Sequence, residues 1–145
     1  MSDHNTSREH YAYFSKVSTR WMDNDVYQHI NNVVYYSFFD TVCNEYLIER
    51  AGFNPQTAPV IGFIVSSNCQ YLAPLSYPVK IEAAFRVNRL GNSSVEYGVA
   101  VFAEGESSAA AWGTYTHVFV NRESDKPTPI PDQIREALTE ALIEP

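Results

Sequence analysis

Asp23, Asp25, His29, Asn31 and Asn32 crowd into one short stretch of WMDNDVYQHINNVVYYSFFD, residues 21–40. Carboxylates and an imidazole are proton-transfer groups. The run that follows has no Pro or Gly until Gly52 and reads as a helix from Asn32 to about Arg50. A helix start leaves backbone N–H groups unpaired, and the macrodipole is positive there. Asp25 lies six or seven residues upstream, close enough to fold back toward that point. Two readings stand side by side. The acids are turn formers with Asn31 as the helix cap, or a carboxylate and an oxyanion-stabilising N–H face each other across a reacting carbon.

The helix that anchors this cluster has two apolar rows, Val34, Phe38 and Val42, and Tyr35, Phe39, Cys43 and Tyr46. About 19 residues make it about 28 Å long, and so wide an apolar arc must be wrapped. The rest of the chain supplies strands. A first strand runs from Tyr11 to near Trp21. GFIVSSNCQYL (62–72) is strand-like. VKIEAAFRVNRL (79–90) alternates, with Val79, Ile81, Ala83, Phe85 and Val87 on one face. After the GNSS turn come strands at 95–105 and 109–121. The last four strands are expected to form an antiparallel meander. Residues 1 to about 10 are polar and expected to fray, and a short helix of about 131–142 closes the chain behind Pro131.

The bulk composition excludes several classes. At 145 residues, 45% hydrophobic and 19% charged, the chain can bury a core. A net charge of −7 argues against nucleic acid. No window reaches the roughly 18 apolar residues of a membrane span, and the N-terminus lacks a signal-like apolar run, so a cytoplasmic location is expected. Cys43 and Cys69 have no metal-like spacing and read as reduced core residues. No metal or nucleotide cofactor is expected: the four His are scattered, and GxGxxG and P-loop phrases are absent.

The phrase D-x-D-x-x-x-H-x-N-N-x-x-Y at 23–35, with QYLAP (70–74) and RLGNSSVEY (89–97) in the same element order, resembles the hotdog-fold thioesterases. The nearest group is the 4-hydroxybenzoyl-CoA thioesterase-like one, and the acyl-ACP thioesterases are also similar. The resemblance covers roughly residues 12–122. It implies a single α+β hotdog domain over 1–145, with a long central helix wrapped by a curved antiparallel sheet of five to six strands. It also implies a homodimer or tetramer with its site at the interface, and a thioester of coenzyme A or acyl carrier protein as substrate. Asp25 matches the catalytic carboxylate, as base or nucleophile. Asn32 matches the carbonyl-polarising backbone N–H, and His29 is shared with the acyl-ACP group. That group has Asn where this chain has Tyr27; the aromatic-degrading group has Gly where this chain has Gln28. Tyr35, Phe39, Phe63 and Val65 are candidates for the acyl pocket, Tyr27 and Asn31 for flanking contacts, and Arg86 and Arg89 for the coenzyme's phosphates. Two other readings remain. A hotdog hydratase is disfavoured because Asp25 and His29 are only four apart and lack its Asn. An acyl-CoA-binding module without catalysis stays open.

Overall fold

The computed structural model describes residues 3–143. In chain order the elements are α1 (Asp3–Thr6), β1 (Tyr13–Ser18), α2 (Val34–Ala51), β2 (Val60–Ser67), β3 (Gln70–Tyr71), β4 (Lys80–Leu90), β5 (Ser94–Ala103), β6 (Ala111–Asn121) and α3 (Asp132–Glu140). Six antiparallel strands form one curved sheet and α2 lies against its inner face, the α+β arrangement expected. No helix among the described residues is long and apolar enough to cross a membrane.

Both apolar rows of α2 are used. Tyr35, Phe38, Phe39, Val42, Cys43, Tyr46 and Leu47 are buried. Tyr46 stacks on Phe85 of β4 at 4.4 Å, and Tyr13 meets it edge-on at 5.2 Å. The Tyr46 hydroxyl donates to the Ala137 carbonyl at 2.6 Å, tying α3 to α2. The helix ends where expected, because Gly52 adopts φ 66°, a left-handed stop that a side chain would strain. Wrapping is incomplete, however. Ser37, Asp40, Thr41 and Ile48 leave a largely polar stripe of α2 exposed.

The sheet order is β1-β4-β5-β6-β2, with β3 also on β6. The expected four-strand meander is therefore reduced to β4-β5-β6. Residues 72–79 carry the chain across the sheet instead of reversing it in a hairpin, so β2 pairs with β6 and β1 takes the place beside β4. The strand expected over 62–72 is broken at Asn68 and Cys69. There the Asn68 N–H bonds the Thr114 carbonyl at 3.0 Å, and its own carbonyl presses against Gly113, where any Cβ would collide.

The N-terminal segment is not frayed over the described residues; residues 1 and 2 lie outside them. It packs on the outer face of the sheet, where Tyr11, Ala84, Ala100, Phe102 and Ala109 form a second small core. Its anchor is Arg86, only 2% exposed. The guanidinium donates to the carbonyls of His4 (2.9 Å) and His10 (3.2 Å) and to the side chains of Asn5 (2.7 Å) and Asn88 (2.7 Å). The Tyr11 ring lies 4.5 Å from it. Gly98, opposite Arg86 on β5, makes the room: a Cβ there would lie 2.5 Å from the arginine Nε.

On the inner face, His117 is buried and shares a 2.8 Å hydrogen bond with the Tyr97 hydroxyl. Burial lowers its pKa from 6.5 to about 4, with the Asp40 carboxylate pulling the other way. The unfolded chain takes up this proton at higher pH than the folded one, so acid favours unfolding. The stabilisation is full above about pH 6.5 and is lost as pH falls toward 4, by about 3 kcal/mol at most. Urea titrations from pH 7 to 4 should therefore show a steeper loss of stability for the wild type than for His117→Gln.

Candidate active site

The loop before α2 is a tight hairpin. Asn24 pairs with Ile30, the Asp25 N–H bonds the His29 carbonyl at 2.8 Å, and the Gln28 N–H bonds the Asp25 carbonyl at 3.0 Å. This is a three-residue turn whose closing position must be left-handed. Gln28 takes it with φ 65°, a conformation Gly would adopt without strain. The Asp25 side chain folds over the turn, its Oδ1 accepting the Tyr27 N–H at 2.8 Å and, weakly, the His29 N–H at 3.4 Å.

Asp23 closes the base of the loop. It is 2% exposed, accepts the Arg20 N–H (2.8 Å), Nε (3.1 Å) and Nη2 (2.8 Å), and takes the Asn31 N–H on its carbonyl at 2.8 Å. Its place is structural.

Regular helix begins at Val34, two residues later than expected, because Asn31 winds a turn ahead of it. Asn31 Oδ1 accepts the Val33 N–H at 3.0 Å and its carbonyl accepts the Val34 N–H at 2.9 Å. The Asn32 N–H is left with no hydrogen bond among the described residues. The Asn32 carbonyl, in turn, is held by the Tyr71 hydroxyl at 2.9 Å.

Asp25, His29, Asn32 and Tyr35 line one cleft of about 370 Å³ together with Ile30, Tyr71, Leu72, Ala73 and Pro74. The last four are residues that local pattern reading missed, although QYLAP points straight at them. They reach the cleft because β3 lies beside β6 and the Leu72 N–H bonds the Ala110 carbonyl at 2.8 Å. A second, wider cleft on the other side of Asp25 is lined by Trp21, Met22, Asn24, Val26, Gln28, Ser76 and Tyr77.

The other expected substrate contacts are not brought there. The Tyr27 side chain is 78% exposed and lines neither cleft, its backbone alone serving the loop. Asn31 is occupied as a cap. Phe63 pairs with Val118 and points to the outer face, opposite to His117 and Phe119, because strand neighbours alternate. Phe39 is wholly buried core, and Val65 is an exposed bulge residue of β2. Arg86 is sealed under the N-terminal segment. Arg89 pairs with Glu96 at the hairpin end of β4, while the cleft borders the other end, about 17 Å along the sheet at ~3.4 Å per residue. Asp40, on the exposed stripe of α2, accepts the Tyr115 hydroxyl at 2.7 Å. Burial raises the pKa of both thiols, Cys43 well above and Cys69 above the ordinary value, so neither is an activated nucleophile. Among the described residues no three His, Cys, Asp or Glu side chains converge as a metal site.

A carboxylate held by a hydrogen-bonded turn and an unpaired helix-start N–H lining the same cleft are suited to acyl transfer. The thioesterase superfamily model matches residues 27–110, beginning just after Asp25. The chain belongs to this superfamily and is a thioester hydrolase with the hotdog fold. The crystal structure of the PA5185 protein from Pseudomonas aeruginosa is 52% identical, with a TM-score of 0.93 over 94% of this chain and 96% of that one. YsmA of Bacillus subtilis is 28% identical over 131 residues, 88% of this chain and 86% of that protein. The BH1999 gentisyl-coenzyme A thioesterase, 22% identical with a TM-score of 0.77 over 87% of this chain and 99% of that one, shares the fold.

Placed as it is, Arg86 should matter to stability and not to substrate. Arg86→Ala, which leaves several part-buried carbonyl oxygens unpaired, should cost about 1–3 kcal/mol in urea unfolding. The KM for a hydrolysed thioester should stay at its wild-type value.

Proposed function

We propose that the chain hydrolyses acyl-CoA thioesters, with Asp25 as general base and the Asn32 N–H as the oxyanion donor. The observation that carries this reading is that both line the same cleft, one on a braced turn and the other unpaired at the start of α2. With Oδ1 engaged by the turn, Oδ2 takes a proton from water as the water oxygen bonds to the thioester carbon. The carbonyl becomes an oxyanion against the Asn32 N–H and the positive end of the helix. Collapse breaks the C–S bond, and the proton passes to the departing thiolate, giving a carboxylic acid and coenzyme A. The acyl group lies against Tyr35, Tyr71 and Leu72. His29, exposed at the mouth, contacts the incoming thioester.

The free edge of the sheet supports a dimer. Phe63, Ile64 and Val65 of β2 are exposed, and an unpaired apolar edge strand is a template for a second copy. The homodimer forms by pairing there, and sedimentation of the purified protein would test it.

The function is tested by thiol release from short, medium, long and aromatic acyl-CoAs, with wild type and Asp25→Asn side by side. Turnover of at least one thioester is expected, with a loss of roughly 10²–10⁴-fold in the variant at unchanged sedimentation. Equal rates in the two proteins, or no release from any thioester, would contradict the assignment.

A further inference from the structure

The hairpin that carries Asp25 is braced from outside by residues 75–77. The Leu75 carbonyl accepts the Ile30 N–H at 2.7 Å, and the Tyr77 N–H donates to Asn24 Oδ1 at 3.0 Å. These bonds grip the two sides of the hairpin. The third bond reaches its tip: the Ser76 hydroxyl donates to the Gln28 carbonyl at 2.7 Å. Gln28 is the residue held at φ 65°.

The carbonyl of Gln28 and the N–H of His29 belong to one planar peptide unit. Ser76 holds that unit by its oxygen, while its N–H points to Asp25 Oδ1 at 3.4 Å. A long side chain does not favour the left-handed region, so something beyond the turn must keep the peptide in place. Aligned hydrogen bonds through one amide also polarise each other. If the peptide rotated, the His29 N–H would leave the carboxylate, and Oδ1 would keep only the Tyr27 N–H.

We infer that Ser76 is a positioning residue for the hydrolysis, aiming the Asp25 carboxylate through the peptide between Gln28 and His29. The inference rests on Asp25 being the catalytic base. Ser76 touches no reacting atom; its hydroxyl fixes the plane of a peptide whose other end orients the base. Substrate binding is little affected, because the residue lines the wider cleft and not the cleft that holds the thioester.

The test is steady-state kinetics of wild type, Ser76→Ala, Ser76→Thr, Asp25→Asn and the Ser76→Ala/Asp25→Asn double variant, on the best acyl-CoA of a panel, with thermal melts of each. For Ser76→Ala, kcat should fall about three- to tenfold, the equivalent of one hydrogen bond, with KM within about twofold and the melt lowered by no more than a few degrees. Ser76→Thr, which keeps the hydroxyl, should recover most of the rate. In the double variant the two losses should not add, since both act through one carboxylate. A wild-type kcat for Ser76→Ala, a loss confined to KM, a Thr variant as slow as Ala, or additive losses would each overturn the positioning role while Asp25→Asn still fails. An Asp25→Asn enzyme as fast as wild type would overturn the reading of the base, and the role of Ser76 with it.

Discussion

A buried helix must do something with its first N–H groups, and this constraint organises the end of the molecule where the cleft lies. Asn31 takes two of them, Val33 through its side chain and Val34 through its carbonyl. The Asn32 N–H is left, at a point where the helix field favours negative charge. Under the proposed function, capping and chemistry are compatible accounts of this stretch. The cap defines which N–H remains, and the turn before it sets where a carboxylate can stand.

The remaining architecture holds these two groups in register. The inner face of the sheet fixes α2 through Tyr46, Phe85 and Tyr13. The hairpin is closed at its base by the buried Asp23 and braced at its side by residues 75–77. β3, displaced from β2 by the close approach of Asn68 to Gly113, brings Tyr71 onto the Asn32 carbonyl. Each of these is a local contact, yet they come from four separate parts of the chain. In the proposed function such a site is pre-organised, so that little would reorganise as charge develops on a substrate oxygen.

Local structure was legible in the sequence, and long-range pairing was not. Gly52 announced the helix end because only a residue tolerant of positive φ stops a helix there. The alternation from Val79 to Val87 gave the inner face of β4 correctly. The phrase from Asp23 to Tyr35 marked the loop and its carboxylates. The place of β2 beside β6 was hidden, since which strand pairs with which depends on contacts far apart in sequence. Arg86 misled for a related reason. Alternation put it on the outer face, and an outer face suggests solvent; nothing local said that residues 4–11 fold back over it. Phe63 looked like a pocket residue by type alone, but its strand position turns it away. The left-handed Gln28 was hidden for another reason: Gln is not a residue type that favours positive φ, and the Ser76 brace comes from a distant part of the chain.

The central claim is that Asn32 and Asp25 act on one carbonyl. The direct measurement is the amide resonance of Asn32 in the ¹⁵N-labelled protein, titrated with an unreactive acyl-CoA ketone in which CH₂ replaces the thioester sulfur. The account predicts a saturable downfield shift of the Asn32 proton, as its N–H donates to the analogue's carbonyl oxygen, with smaller shifts at Tyr27 and His29 around the Asp25 carboxylate. An analogue that binds while Asn32 stays where it was would contradict it.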